Sequence, residues 1–406
     1  WTDDDCIVNE KYTLSWQESH LSMKHSLFLM ILLLSLSCTS RSQAKRDSII
    51  DTLSDSLSAT DSISPTDTLR LLFVGDLMQH QGQINAARTS TGYDYSTCFT
   101  YVKEEIGRAD LAIANLEVTL GGKPYKGYPA FSAPDEFLTA IHDAGFNVLV
   151  TANNHSLDRG KSGLERTIQL IDSLKIPHAG TYINTEERDK KYPLLLEKNG
   201  FRIALLNYTY GTNGIPVTPP NIVNYIDTTV IAKDIEESKA MKPDAIIACM
   251  HWGIEYQSLP DKEQKFLTDW LLRKGVNHII GCHPHVVQPI EVREDSLTNE
   301  KHLVVYSLGN YISNMSARRT DGGLMVKMEL VKDSTTRLNH CEYSLVWTAR
   351  PAQSGKKNHQ LLPINFPTDS ISVNARNSLR IFANDARALF NKHNRGIKEY
   401  LFYKKK

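Results

Sequence analysis

From Leu71 onward, short apolar runs alternate with stretches of amphipathic pattern. The runs LLFV (71–74), LAIAN (111–115), NVLVTAN (147–153), RIALLNY (202–208), AIIACM (245–250), HIIG (278–281) and LVVYSLGN (303–310) have strand length and are mostly rich in Ile, Val and Leu. Their hydrophobicity is near-continuous rather than alternating, which predicts strands covered on both faces and hence a layered α/β fold. Amphipathic patterns over 134–144, 163–175 and 261–274 predict helices between several of them. Residues 323–331 and 342–347 alternate more strictly, as antiparallel strands do, and 374–402 reads as a terminal amphipathic helix with a basic, solvated face. No internal repeat is visible.

The first part of the chain breaks this pattern. Met23-Lys24-His25 precedes an apolar run from Leu27 to Leu34, followed by Ser35-Leu36-Ser37-Cys38. That run is too short to span a bilayer as a helix, and small residues around a cysteine at its end suit a bacterial lipoprotein signal with Cys38 as the lipidated residue. Residues 1–22 are expected to be an upstream extension outside the fold and 23–38 the signal peptide. The stretch 39–69 is dominated by Ser, Asp and Thr and reads as a tether, since it holds too little apolar surface to order itself. That leaves 70–365 for the globular domain and 366–406 for a C-terminal helical segment. Cys98, Cys249, Cys282 and Cys341 show no paired spacing and are expected to be free, mostly buried thiols. Lys plus Arg equal Asp plus Glu at 46 each, so no basic footprint for nucleic acid is present.

The chemistry sits where strands end. Asp76 follows LLFVG, Asn115 and Glu117 close LAIANLE, and Asn153-Asn154-His155 closes the next run. His251, then His283 and His285, then Asn310 close the later ones. In layered α/β sheets the loops beyond the carboxyl ends of strands form the ligand crevice, so groups remote in sequence can converge. Taken singly, a loop histidine is more often a surface residue than a ligand, and a strand-end Asn or Asp158-Arg159-Gly160 is ordinary turn chemistry. Turns alone poorly explain so many polar groups at the same end of successive buried strands. Two carboxylates, an amide and three histidines are enough for two divalent ions, Mn, Zn or Fe, sharing a carboxylate; such a pair generates hydroxide and clamps a phosphoryl oxygen. In Gly281-Cys282-His283-Pro284-His285, Pro284 would impose the turn that lets both imidazoles face one point.

The segments GDLM (75–78), ANLEVTL (114–120), NNHSLDRG (153–160), NYTYGTNG (207–214), HWGIEY (251–256), GCHPHVVQPIE (281–291) and YSLGN (306–310) resemble the CapA/PgsA family of bacterial poly-gamma-glutamate capsule proteins. The family's domain looks like the calcineurin-like metallophosphoesterases. The resemblance implies a four-layer α/β/β/α sandwich with Asp76 on a first metal, Glu117 bridging, Asn154, His251 and His283 on a second, and His285 returning to the first. His155 would donate a proton to a leaving oxygen, held by Asp158. Tyr208, Tyr210, Trp252, Glu255, Tyr256 and Asn310 stand in the same motifs and are the candidates for substrate contact. One departure is visible: phosphoesterases of this type place an imidazole two residues after the Asp, where this chain has Met78, so either His80 reaches in or the first metal is held weakly. The implied function is a metal-dependent hydrolase or transferase of the cell envelope, attached to the membrane through its N-terminal lipid and working with capsule-polymer synthase subunits on an anionic polymer. The alternative is a non-catalytic assembly subunit with a vestigial metal site, and a third class is a sugar- or nucleotide-binding protein that uses the aromatic residues alone.

Overall fold

The computed structural model describes residues 67–404. The expected signal peptide, Cys38 and nearly all of the expected tether lie outside the described residues.

Two β-sheets lie face to face. The first runs from Gln360–Pro363 through Thr336–Ala349, Gly322–Lys332, Asp67–Leu77, Leu111–Leu116 and Val148–Val150 to His178–Ala179. Asn310–Ile312 pairs with the end of Asp67–Leu77, and Lys398–Glu399 with Thr336–Ala349. The second sheet runs from Ile290–Glu294 through Lys301–Val305, His278–Cys282, Ala245–His251 and Phe201–Thr209 to Leu194–Lys198. Its four central strands are parallel, as are the four of the first sheet from Asp67–Leu77 to His178–Ala179.

Alternation along each strand divides the core into layers. Leu71, Phe73, Ile113 and Val150 face Ile203, Leu205, Ile247, Cys249 and Ile280 across the gap between the sheets. The intervening residues Leu72, Val74, Ala112 and Ala114 point the other way, onto Phe137, Leu138 and Ile141 of helix Asp135–Ala144. On the second sheet Ala204, Leu206, Ile246 and Ala248 meet Ile231 and Ile235 of helix Thr228–Ala240 and Leu267 and Leu271 of helix Lys262–Arg273. The result is the four-layer α/β/β/α sandwich that the family resemblance implied, and its covered strand faces account for the unbroken hydrophobic runs. Helix Val373–His393 sends Leu379, Phe382, Ala386 and Phe390 into the layer between the sheets, beside Leu345 and Trp347. It stops at His393, short of the expected 402, because Asn394 turns extended and its Oδ1 accepts the Ile290 N–H at 2.8 Å. The four cysteines among the described residues are free, three of them buried.

The run 303–310 is not one strand. Lys301–Val305 belongs to the second sheet and Asn310–Ile312 to the first, so the chain crosses between the sheets at 306–309. Gly309, at φ 68°, makes the turn that ends the first strand pairing and begins the second. Its carbonyl accepts the Asp76 N–H at 3.0 Å. Opposite it, the register of Asp67–Leu77 on Leu111–Leu116 slips between Val74 and Asp76, a bulge at Gly75. Strict alternation would aim residue 76 outward with Leu72 and Val74; the bulge turns it inward, level with Asn115.

A Cβ on Gly75 would collide with the Gly309 carbonyl oxygen. Gly75→Ala is therefore expected to lower stability by ~1–3 kcal/mol in urea denaturation. Leu297→Ala, at a side chain left 91% exposed, should leave the midpoint alone. An unchanged Gly75→Ala midpoint would show that the sheet crossing tolerates a methyl group there.

Candidate metal centre

Strand ends from both sheets meet in one crevice. Asp76 and Glu117 come from the first sheet, His251, His283 and His285 from the second, and all five are buried. His283 and His285 flank Pro284 at φ 102° and 57°, conformations a side chain rarely adopts, and this turn aims both imidazoles at the carboxylates.

Two ligand clusters share Glu117: Asp76, Glu117 and His285 form one, Glu117, His251 and His283 the other. Glu117 Oε1 lies 3.7 Å from His251 Nε2 and 3.9 Å from His285 Nε2. Bonds of about 2.1 Å set two ligand atoms on one ion roughly 3–4 Å apart, so these gaps suit a cation between the atoms better than a direct hydrogen bond. Asn154 Oδ1 lies 2.8 Å from His251 Nε2 and adds an amide oxygen to the second cluster. Two atoms test the fit independently. Glu117 Oε1 and His283 Nδ1 are both buried without a hydrogen-bond partner, and a divalent ion would satisfy them.

The amides orient the carboxylates. Asn115 Nδ2 donates to Asp76 Oδ1 at 2.8 Å and to Glu117 Oε2 at 3.1 Å, which leaves Asp76 Oδ2 and Glu117 Oε1 on the imidazole side. Asn153 Nδ2 in turn donates to Asn115 Oδ1 at 3.2 Å and to the Leu116 carbonyl at 2.8 Å. Asn310 Oδ1 lies 3.1 Å from His285 Nδ1, turning Nε2 toward Glu117. Burial and the adjacent Asp76 carboxylate push Glu117 well above the usual carboxylate range. Burial would raise Asp76 too, but the hydrogen bond and charge of His285 hold it below that range. Burial and the neighbouring imidazoles depress His251 strongly and His283 to about 3, so both are neutral and ligand-competent at pH 7.

His155 stands at the rim of this floor. Its Nδ1 lies 2.8 Å from Asp158 Oδ2, which also accepts the Phe131 N–H at 2.8 Å, and the Phe131 ring packs edge-on at 4.6 Å. Nε2 is thereby the nitrogen left for a substrate. Asn213 joins this group, its Oδ1 accepting from Asn154 Nδ2 at 3.2 Å.

The structure brings together Asp76, Glu117, Asn154, His155, Asp158, His251, His283, His285 and Asn310. Tyr210 and Tyr256 lie over the histidines, with ring centroids 4.5 Å from His283 and 6.3 Å from His285 respectively, and both remain exposed. Two expected substrate contacts are not in the crevice. Tyr208 is wholly buried with its hydroxyl donating to Asp234, and Trp252 is buried with Nε1 donating to the Tyr306 carbonyl at 3.0 Å. Both face the outer helices of the second sheet. Asn310 is also wholly buried, and holds His285 where substrate contact was expected. Met78 turns into the apolar layer outside the first sheet. His80 belongs to none of the metal-capable clusters among the described residues; its ring packs edge-on against Phe131 and its Nδ1 lies 3.4 Å from the Asn314 N–H nitrogen.

Residues 70–315 match the family described as bacterial capsule synthesis protein PGA_cap. The capsule biosynthesis protein CapA of Bacillus anthracis is 27% identical over 298 residues, 69% of this chain and 69% of that protein. The PGA biosynthesis protein CapA of Bacillus subtilis (strain 168) is 29% identical over 280 residues, 67% of this chain and 70% of its own length. Among solved structures, the calcineurin-like phosphoesterase YfkN from Bacillus subtilis aligns over 81% of this chain and 100% of that chain, at 13% identity and a TM-score of 0.43.

Asn115 offers a test of the centre that avoids its proposed ligands. Asn115→Ala removes the donor that aligns Asp76 and Glu117, and should weaken binding of a divalent ion by about 10–100-fold in calorimetric titration. An affinity equal to wild type would mean that the carboxylates need no such alignment.

Proposed function

The chain belongs to the bacterial capsule synthesis protein family PGA_cap, and from that premise we propose that it is a metal-dependent hydrolase or transferase of the cell envelope. It acts in the synthesis, release or attachment of an anionic surface polymer such as poly-gamma-glutamate. The observation that carries this reading is Glu117 Oε1, a buried oxygen without a partner, set between two histidine clusters. Burial and the Asp76 carboxylate beside it disfavour its charged form, so a cation is what would keep it charged.

Asp76, Glu117 and His285 would hold one ion, and Glu117, Asn154, His251 and His283 the other. Divalent ions there would supply Lewis-acid polarisation of a substrate oxygen. The residues of this chain do the rest. Asp158 fixes the orientation of His155, whose Nε2 delivers a proton to the leaving oxygen. Tyr210 and Tyr256 lie over the imidazoles at the solvent side of the crevice. Anchoring is by lipid on Cys38; no helix among the described residues is long and apolar enough to cross a membrane.

Three substitutions test this. Glu117→Gln should release bound metal, measured by elemental analysis, with activity lost as a consequence. His155→Ala should keep its metal and lower kcat by about 100-fold or more on an aryl phosphodiester or a gamma-linked glutamate oligomer. If metal-loaded protein turns over neither, and His155→Ala still supports surface polymer in cells, the chain is an assembly subunit and not an enzyme. Cys38→Ala should move the protein out of the membrane fraction and abolish metabolic lipid labelling; continued membrane association with no label in the wild type would remove the anchor assignment.

A further inference from the structure

Glu255 was expected to touch substrate, yet its surroundings suit a different task. Its carboxylate forms a third cluster with His283 and His285, the three ligand atoms within 4.8 Å of one another. Where Glu117 approaches these imidazoles from the buried floor, Glu255 approaches from the exposed side. The loop that carries it is pinned at both ends. Trp252 N donates to the Cys282 carbonyl at 3.2 Å, and Tyr256 N donates to the Pro284 carbonyl at 2.8 Å, inside the His283–His285 turn. Gly253 at φ 87° and Tyr256 at φ 68° bend the loop to reach it. Strained backbone on both partners, joined by a hydrogen bond, places this carboxylate beside the imidazoles.

Charge argues against direct contact with an anion. A free carboxylate at the mouth would repel an anionic substrate, whereas a carboxylate bound to a cation is neutralised. The centre also lacks one expected donor, since Met78 faces the apolar layer and His80 stands outside every metal-capable cluster among the described residues. His283, only 2% exposed, keeps its Nδ1 without a hydrogen-bond partner, so an imidazole of this cluster has a nitrogen free for an ion. We infer that Glu255 is a further carboxylate ligand on the solvent side of the metal pair, supplying the donor that position 78 does not, and that it yields its place to an incoming anion. This deepens the metal-centre reading above and rests on it.

Mn²⁺ binding to the full chain, followed by calorimetry and electron paramagnetic resonance, tests the inference without an activity assay. Wild type should bind a pair of ions. Glu255→Gln should keep the tighter one and lose on the order of 10-fold or more in affinity for the weaker, with thermal unfolding unchanged before metal is added, and Glu255→Asp should recover part of the loss. Inorganic phosphate, as the anion probe, should alter the wild-type Mn²⁺ spectrum and bind Mn²⁺-saturated Glu255→Gln more tightly than wild type, because it no longer has to displace the carboxylate. Wild-type Mn²⁺ affinities in Glu255→Gln would overturn the ligand role while leaving the metal centre intact. Equal phosphate affinity in the two proteins would overturn the exchange. A wild-type chain that binds no Mn²⁺ would instead bring down the metal centre itself.

Discussion

Everything at the carboxyl ends of the strands is arranged around two carboxylates, Asp76 and Glu117, that have been taken wholly out of water beside each other. Removing a carboxylate from water costs several kcal/mol even after relaxation, and a second one nearby adds repulsion. The protein compensates Asp76 from within, through Asn115, His285 and the Gly309 carbonyl that holds its backbone in place. It does not fully compensate Glu117. One oxygen takes a hydrogen bond from Asn115 and the other has none, so the fold carries an electrostatic debt that a cation between the histidine clusters would settle.

That constraint accounts for features that otherwise look like local irregularities. The bulge at Gly75 exists where Asp76 must face inward although the strand's parity points it outward. The chain crosses from one sheet to the other at 306–309 where the second sheet's histidines must lie against the first sheet's acids. The positive φ angles of His283 and His285 fall on the residues whose side chains are needed at one point. In each case a strand adjoins the irregular position and helps hold it, since rigid strands can over-determine a strained turn where a free loop could not.

Much of this was legible in the sequence, because strand ends are marked by an abrupt change from apolar to polar residues, and Asp76, Glu117, Asn154, His251, His283 and His285 all stand at such changes. The errors came from reading adjacency in sequence as adjacency in space. Tyr208 and Trp252 neighbour crevice residues, but alternate positions on a strand face opposite ways, so both belong to the helix-facing layer with Leu206 and Met250. Met78 falls in the outer layer with Leu72 and Val74. Asn115 and Asn153 were visible as strand-end amides, yet the distinction between holding a ligand and being one depends on where each amide points. Asn213 comes from a turn with no periodic signal. Only its partners, Asn154 and His155, give it meaning.

The crevice therefore has two parts with different physical character. Its floor consists of buried side chains that hold one another through amide and imidazole hydrogen bonds, and its geometry is set by strands packed on both faces. Its mouth consists of Tyr210, Glu255 and Tyr256, exposed and carried on loops. Reorganising the floor would break several buried hydrogen bonds at once, each expensive to leave unmade, whereas moving the mouth disturbs groups that water can satisfy. Chemistry that needs fixed charges at fixed distances belongs to the floor, and adaptation to the shape of an incoming ligand belongs to the mouth. If the substrate is the polymer proposed above, it need present only one bond to the floor. Under the proposed function the rest of it would remain outside, and an exposed mouth above a buried centre suits a substrate far larger than the site.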